Sequence, residues 1–191
     1  MRTRLALLAL GLAAALPAMA ALKPGSKAPS FTAPAYLAGE PFTYDLADAL
    51  KRGSVVLYFF PAANTPGCNV EAALFSQAID KFQAAGASVI GVTAGNLDTL
   101  AKFSADTETC GGKFPVAADE GAKIAKQYDA TLALRPGWAS RTSYVIAQDG
   151  SVRFVHDDMN PNQHVKRTLE AVQALRPAAP KSRKAMPPAR K

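Results

Sequence analysis

The fold is decided by one stretch of sequence, Ser54-Val-Val-Leu-Tyr-Phe-Phe-Pro-Ala-Ala-Asn-Thr-Pro-Gly-Cys68. Its apolar run ends at Pro61, and small and polar residues follow. Beyond Cys68 the apolar side chains recur at helical spacing: Val70, Leu74, Phe75, Ala78, Ile79 and Phe82. The stretch therefore predicts a buried strand over Ser54–Phe60, a tight loop, and a helix over Cys68–Ala84 with Cys68 in its first turn. Pro66 suits a helix start, where its missing N–H costs nothing.

This position predicts a reactive thiol at Cys68. The first turn of a helix carries unpaired N–H groups and the positive end of the helix dipole, and both stabilise a thiolate. Thr65 lies three residues earlier and places a hydroxyl near the sulfur, where it can exchange hydrogen bonds with a small polar substrate. The alternatives are a buried structural cysteine and an ordinary helix-capping threonine.

The spacing Pro61-x-x-x-Thr65-x-x-Cys68 resembles the active-site motif of the peroxiredoxins. With Thr65-Pro66-Gly67-Cys68 and Glu71, the chain is most similar to the PrxQ class, also called bacterioferritin comigratory proteins, over roughly residues 22–175. The resemblance implies a thioredoxin-like fold and thiol-dependent reduction of hydrogen peroxide and organic hydroperoxides. In such a reaction the Cys68 thiolate attacks the peroxide and becomes a sulfenic acid.

The resemblance also implies roles for residues around the cysteine. Pro61 would end the strand and shield the thiolate, or act only structurally. Arg141 matches the family's arginine just before a strand and would stand beside the sulfur; the alternative is a surface arginine, and Arg135 is a nearby rival. Glu71 would orient Arg141 by a paired contact, with a solvated helix carboxylate as the alternative.

Cys110 is the second of only two cysteines. Many PrxQ-class members carry their second cysteine five residues after the first, where this chain has Ala73, and others carry it on the following helix. The resemblance therefore implies that Cys110 is the resolving cysteine, forming an intramolecular Cys68–Cys110 disulfide that an outside thiol or dithiol protein of unknown identity reduces. Gly111 and Gly112 would let the segment unravel. The alternatives are a permanent structural disulfide and a buried free thiol.

The rest of the chain alternates strands and helices, which predicts an α/β fold with a central sheet covered by helices on both faces. The resemblance selects the thioredoxin-like member of that class, with a mixed sheet. The further predicted elements are one weak strand over Ala35–Tyr44, strands at Ser88–Thr93, Phe114–Ala117, Thr142–Ala147 and Ser151–His156, and helices at Asp45–Lys51, Asp98–Asp106, Gly121–Tyr128 and Gln163–Leu175.

The two ends differ from the body between them. Residues 1–20 combine Arg2 and Arg4, an apolar stretch and Ala18-Met19-Ala20, a pattern typical of a cleaved secretory signal peptide; the alternative is an uncleaved anchor. This predicts a periplasmic or secreted protein without stable membrane insertion after cleavage. Residues 176–191 form a basic tail rich in proline and alanine, interpreted as a disordered, solvated extension. The alternative is contact with anionic lipid or nucleic acid.

The overall charge of +7 comes entirely from these ends, because residues 21–175 carry fourteen basic and fifteen acidic side chains. A near-neutral body whose tail lacks aromatic residues does not favour nucleic acid as a partner. We expect one domain over residues 22–175 that is a monomer or weak dimer.

Three other functions and a metal site are alternatives to a peroxidase. A thioredoxin-like thiol–disulfide oxidoreductase would need a cysteine where Glu71 stands, and a Sco-like copper-binding factor one where Ala72 stands. The third is an inactive binding module. His156 and His164 flank two aspartates, yet a solvated loop is the preferred interpretation, and neither a cofactor nor a metal is expected. Tyr58 and Trp138 are interpreted as core or pocket-wall residues.

Overall fold

The structure is a computed structural model that describes residues 21–135 and 137–175. Seven strands form one sheet: β1 (Thr32–Leu37), β2 (Glu40–Asp45), β3 (Ser54–Phe59), β4 (Ala87–Thr93), β5 (Val116–Ala118), β6 (Thr142–Ile146) and β7 (Val152–Asp157). The helices are α1 (Leu46–Arg52), α2 (Pro66–Ala84), α3 (Leu100–Ala105), α4 (Lys123–Gln127) and α5 (His164–Ala174). Short 3-10 turns precede α3, α4 and α5.

The sheet is mixed and runs in the order β2-β1-β5-β4-β3-β6-β7. Strand β3 lies inside it, parallel to β4 and antiparallel to β6. Val55, Leu57 and Phe59 face a core cluster that includes buried residues of α1 and α4. Val56 and Tyr58 face the opposite cluster, which includes residues of α2, α3 and α5. Because both faces are covered, β3 is continuously apolar, and the expected sheet with helices on both sides is confirmed.

The prediction of one strand over Ala35–Tyr44 is wrong. The segment contains two antiparallel strands, β1 and β2, joined by a turn at Ala38 and Gly39, whose φ angles are 52° and 87°. Two successive positive φ angles are typical of a tight hairpin turn whose twist suits the flanking strands. The sequence did not indicate this turn, because its first position is an alanine, whereas asparagine or aspartate is the usual signal.

The ends of several other elements also differ from their predicted positions. Helix α2 begins at Pro66, two residues before the predicted start, so Cys68 is its third residue. The predicted helices over Asp98–Asp106 and Gly121–Tyr128 each split into a 3-10 turn and a short α-helix. The predicted hairpin at Gln148-Asp149-Gly150 does join β6 to β7. No helix within the described ranges is both long enough and apolar enough to span a membrane.

Candidate active site

The loop between β3 and α2 is fixed by the loop that follows β4. The Thr93 hydroxyl donates to the Pro61 carbonyl at 3.1 Å, and the Asn96 side-chain amide donates to the Ala63 carbonyl at 2.7 Å. Gly95 has to be glycine at this approach, because a Cβ there would lie 2.6 Å from the Pro61 carbonyl oxygen. The start of α2 is therefore held against the carboxyl end of β4, and Pro61 itself is half-buried.

Thr65 is the N-cap residue of α2, but its side chain does not cap the helix. Its hydroxyl instead donates to the Ala62 carbonyl at 3.0 Å. A hydroxyl that donates its hydrogen in this way keeps its lone pairs available to accept. The ordinary capping interpretation of Thr65 is therefore wrong, and this half-buried side chain is free to accept a hydrogen bond from a bound molecule.

Cys68 lies just beneath the surface, with 2% of its area exposed, and Arg141 is in contact with it. The Nη2 group of Arg141 donates to Cys68 Sγ at 3.4 Å. Gly67 allows this approach, since a Cβ there would stand 3.1 Å from the same Nη2 atom. The neighbouring residues Thr65 and Gly67 are half-buried, so the sulfur has surface-accessible groups beside it.

The Arg141 guanidinium is held at all three of its nitrogen atoms. Its Nε donates to the Met159 carbonyl at 3.0 Å, Nη1 donates to Glu71 Oε2, and Nη2 reaches Cys68. Burial alone would lower the pKa of Arg141. The neighbouring Glu71 and Cys68 together raise it by a larger amount, so the net shift of the pKa is upward. The side chain is a fixed cation with 4% of its area exposed, and the surface-arginine interpretation is wrong.

Glu71 has no exposed area, which excludes the interpretation as a solvated helix carboxylate. Burial raises its pKa to about 8, although Arg141 pulls in the opposite direction. Its Oε2 accepts from Arg141, whereas Oε1 has no hydrogen-bond partner and lies 3.5 Å from His164 Nδ1. The structure thus brings the side chains of Cys68 and Glu71 together on the guanidinium of Arg141.

His164 belongs to the same cluster and was missed by the sequence interpretation, which assigned it to a solvated loop. Its imidazole is fully buried at the start of α5, with Nδ1 2.8 Å from the Ser143 hydroxyl and Nε2 2.8 Å from the Asp158 carbonyl. Burial lowers the pKa of His164 to about 4. The available signal was the helical spacing of His164 with Thr168 and Val172, both of which are buried.

His156 is half-buried on β7, and its ring packs against that of His164 with centroids 4.5 Å apart. Within the described ranges, no group of histidine, cysteine or acidic residues is arranged to hold a metal ion. Arg135 is exposed and lies over the Trp138 ring at 4.3 Å. Tyr58 is fully buried among stacked rings, as expected of a core residue.

Cys110 lies in the turn after α3, fully buried in the core cluster that also contains Cys68. Both cysteines are free thiols. Burial raises the pKa of the Cys110 thiol well above its ordinary value. The turn is closed by backbone bonds from Gly111 to Asp106 and from Gly112 to Ser104, and both glycines have positive φ. The structure therefore shows Cys110 as a fully buried thiol in a turn that contains two glycines.

The fold and the cysteine–arginine pair define a class of protein, the thioredoxin-like peroxiredoxins. The structure resembles that of the peroxidoxin BcpB from Mycobacterium tuberculosis with a TM-score of 0.72 and 28% identity, covering 82% of this chain and 99% of that one. The model of the AhpC/TSA family matches residues 24–155. This chain belongs to the AhpC/TSA family and is a peroxiredoxin, a thiol-dependent peroxidase.

Proteins named peroxiredoxin Q are among its relatives in sequence. The chloroplastic peroxiredoxin Q of Oryza sativa subsp. japonica is 31% identical over 152 residues, which is 79% of this chain and 67% of the relative. The chloroplastic peroxiredoxin Q of Sedum lineare is 32% identical over 127 residues, which is 66% of this chain and 67% of the relative. The similarity to the PrxQ class inferred from the motif is thereby confirmed.

We expect His164→Gln to reduce the loss of stability in acid. The lowered pKa of about 4 in the folded protein, against 6.5 as the ordinary value, means that His164 binds fewer protons when folded. Its contribution to stability is therefore lost as pH falls from about 6.5 towards about 4, by about 3 kcal/mol at most. Gln retains a donor for the Asp158 carbonyl but does not titrate.

The measurement is urea unfolding of the parent and His164→Gln proteins over this pH range. Glu71 is present in both proteins, so the difference between the two curves isolates the histidine. Identical pH dependence of the free energy of unfolding would show that His164 is not held neutral by its burial.

Proposed function

We propose that Cys68 is the peroxidatic nucleophile of this thiol-dependent peroxidase. The observation that carries the proposal is the hydrogen bond from Arg141 Nη2 to Cys68 Sγ inside a nearly closed site. A guanidinium at this distance places a positive charge beside the atom that carries negative charge when it acts as a nucleophile. Attack by the thiolate on one peroxide oxygen forms an S–O bond, breaks the O–O bond, and leaves a sulfenic acid and hydroxide or alkoxide.

Thr65 and Arg141 are proposed to position the peroxide for this attack. Negative charge develops on the leaving oxygen as the O–O bond breaks, and donors that face it stabilise the transition state. Arg141 supplies a fixed positive charge next to the sulfur. The Thr65 hydroxyl, already donating to Ala62, is arranged to accept the hydrogen of the bound peroxide. Pro61 is proposed to exclude water from one side.

The competing functions require chemistry that the site lacks. A thiol–disulfide oxidoreductase or a copper-binding factor needs a second thiol one turn after the first. Position 71 is instead a fully buried glutamate paired with Arg141, and position 72 is a fully buried alanine. The pairing of Cys68 with a fixed cation also argues against an inactive binding module.

The direct test is peroxide consumption with dithiothreitol as reductant. The parent protein should consume hydrogen peroxide, and Cys68→Ser should abolish turnover, because serine cannot be oxidised by peroxide at this position. Cys110→Ala serves as the matched control, since it removes the other thiol and leaves the first oxidation intact. Peroxide consumption by Cys68→Ser at the parent rate would refute the proposed nucleophile.

Cys110 is proposed as the resolving cysteine, which attacks the Cys68 sulfenic acid to form an intramolecular disulfide and release water. Cys110 is fully buried as a neutral thiol, so the segment around it must open before the sulfurs can meet. Two features support such opening: the adjoining helix α3 has only six residues, and the turn contains two glycines with positive φ. A thiol or dithiol protein would then reduce the disulfide.

We expect peroxide-treated parent protein to carry a Cys68–Cys110 disulfide, detected by peptide mass analysis. Cys110→Ala should retain a stoichiometric first oxidation but recycle more slowly with a protein dithiol than with small thiols, because Cys68 is 2% exposed and a small thiol reaches its sulfenic acid more easily than a protein does. Unchanged recycling with both kinds of reductant would remove Cys110 from the cycle.

We also propose that the protein is exported from the cytoplasm and that it is a monomer or weak dimer. The mature protein is further proposed to have no nucleic-acid partner and no membrane insertion. Export is supported by the basic start, apolar stretch and small residues of positions 1–20, which lie outside the described residues along with the tail 176–191. The domain itself is described from residue 21.

The test of export is expression of the full chain in a bacterial host, followed by fractionation and N-terminal sequencing. We expect the mature protein in the periplasmic fraction, starting at Ala21 or Leu22. A replacement of Ala18 and Ala20 by bulky residues should block cleavage. Full-length protein in the cytoplasmic fraction would refute export.

A further inference from the structure

Four ionisable side chains, including Cys68 itself, form one buried cluster, and their charges must balance because almost no water reaches them. Cys68, Glu71, Arg141 and His164 have between 0% and 4% of their area exposed. Burying a charge without a partner is costly. A Cys68 thiolate and the Arg141 cation balance one another, so an ionised Glu71 would add a negative charge that no other group of the cluster offsets.

His164 does not supply the missing positive charge. Its Nε2 lies 2.8 Å from the Asp158 carbonyl, which can only accept, so Nε2 carries the hydrogen. In the neutral ring Nδ1 has no hydrogen, and it accepts from the Ser143 hydroxyl at 2.8 Å. Both ring nitrogens are satisfied in the neutral imidazole, and the lowered pKa of His164 has the same direction.

The unpartnered oxygen of Glu71 faces that imidazole. Glu71 Oε1 has no hydrogen-bond partner and lies 3.5 Å from His164 Nδ1. If Glu71 were ionised, this buried carboxylate oxygen would carry negative charge with no donor facing it, because Nδ1 of a neutral imidazole has no hydrogen to give. A proton on Oε1 removes this conflict and leaves Oε2 free to accept from Arg141.

We propose that Glu71 carries a proton on Oε1 while Cys68 is a thiolate, and releases it when Cys68 becomes a sulfenic acid. The inference rests on the proposed sulfenic acid chemistry. Oxidation removes the negative charge of the sulfur, and an ionised Glu71 then becomes the counter-ion of Arg141. Glu71 acts through Arg141 and is a positioning residue, and the neutral imidazole of His164 lies beside its protonated oxygen.

The step balances in atoms and electrons. One hydrogen peroxide, the Cys68 thiolate and the protonated Glu71 give the sulfenic acid, one water and the Glu71 carboxylate. The sulfur loses two electrons as the S–O bond forms, and the peroxide oxygens gain them as the O–O bond breaks. The proton that leaves Glu71 through solvent compensates the hydroxide expelled from the site, so the cluster stays neutral in both states.

The titratable groups around Glu71 are consistent with this assignment. Burial raises the pKa of Glu71 to about 8 and that of the neighbouring Tyr58 well above its ordinary value, and in both groups this favours the neutral form. Arg141 opposes the shift of Glu71. The surrounding groups that act on the imidazole side of the cluster are His156, Asp157, Asp158 and Arg167.

The experiment counts protons taken up during a single oxidation. Reduced Cys110→Ala protein, in which the reaction stops at the sulfenic acid, receives one equivalent of hydrogen peroxide in weak buffer with a pH indicator near pH 7. Sulfenic acid is counted by mass after trapping with a dimedone-type reagent. We expect no net proton uptake per sulfenic acid formed. The same protein carrying Glu71→Gln should take up about one proton, because the expelled hydroxide is no longer compensated.

Glu170→Gln in the Cys110→Ala background is the matched control, because Glu170 is exposed on α5, and it should behave as the parent. Infrared difference spectra give a second readout, and its main observation is made without any variant at Glu71. Oxidation of the Cys110→Ala protein should remove one protonated-carboxyl band, and that band should be missing in Glu71→Gln.

Three outcomes overturn the inference. Uptake of about one proton by the Cys110→Ala protein would show that Glu71 releases no proton on oxidation. Equal proton counts with and without Glu71, or a carboxyl band unchanged by oxidation, would remove Glu71 as the source. In each of these cases sulfenic acid forms and the proposed function stands. If no sulfenic acid forms, the proposed function fails, and the inference fails with it.

Discussion

The guanidinium of Arg141 connects three parts of the chain that are distant in sequence. It joins Cys68 and Glu71 on α2 to the Met159 carbonyl in the segment after β7. Breaking one partner out of a buried pair of this kind costs roughly 3–5 kcal/mol, because the remaining charge stays in a site with little water. The same contacts that hold the Cys68 sulfur therefore also hold α2 against the β6–β7 side of the sheet, so the candidate site and the tertiary packing depend on the same side chain.

The sheet explains why such a site forms at this end of β3. A strand covered on both faces must end where the chain can leave the core, and β3 ends in a loop fixed by Thr93, Gly95 and Asn96. The helix that follows begins with Pro66, directly after this loop, and its first turn carries the unpaired N–H groups of a helix start. The residues that hold Cys68 are therefore supplied by the ends of neighbouring strands, and the stretch from 54 to 68 alone could not supply them.

The two cysteine thiols have different surroundings in the fold. Both lie in one apolar cluster, where Cys68 has a cation beside it and Cys110 has none. Cys110 is a fully buried free thiol, whereas the proposed disulfide would bring its sulfur to Cys68. Helix α2 is nineteen residues long, but α3 has six and is followed by a turn that contains two glycines of positive φ, so in the proposed cycle we expect the α3 side to be the part that moves.

Local patterns in the sequence were sufficient for the strand β3, the loop after it and the helix α2 with Cys68 in its first turn. These are periodicities and turn residues within about thirty positions, and they act over short distances along the chain. The hairpin at Ala38-Gly39 was missed because its turn lacks the usual residues. The motif also selected Arg141 and Glu71, yet whether each was buried or solvated could not be decided from it. Only the tertiary structure brought residues 71, 141 and 164 into one closed cluster. His164 is an example, since a polar side chain expected in a solvated loop is fully buried. The physical reason is that burial depends on which helices and strands pack together, and this is not a property of any short stretch of the chain.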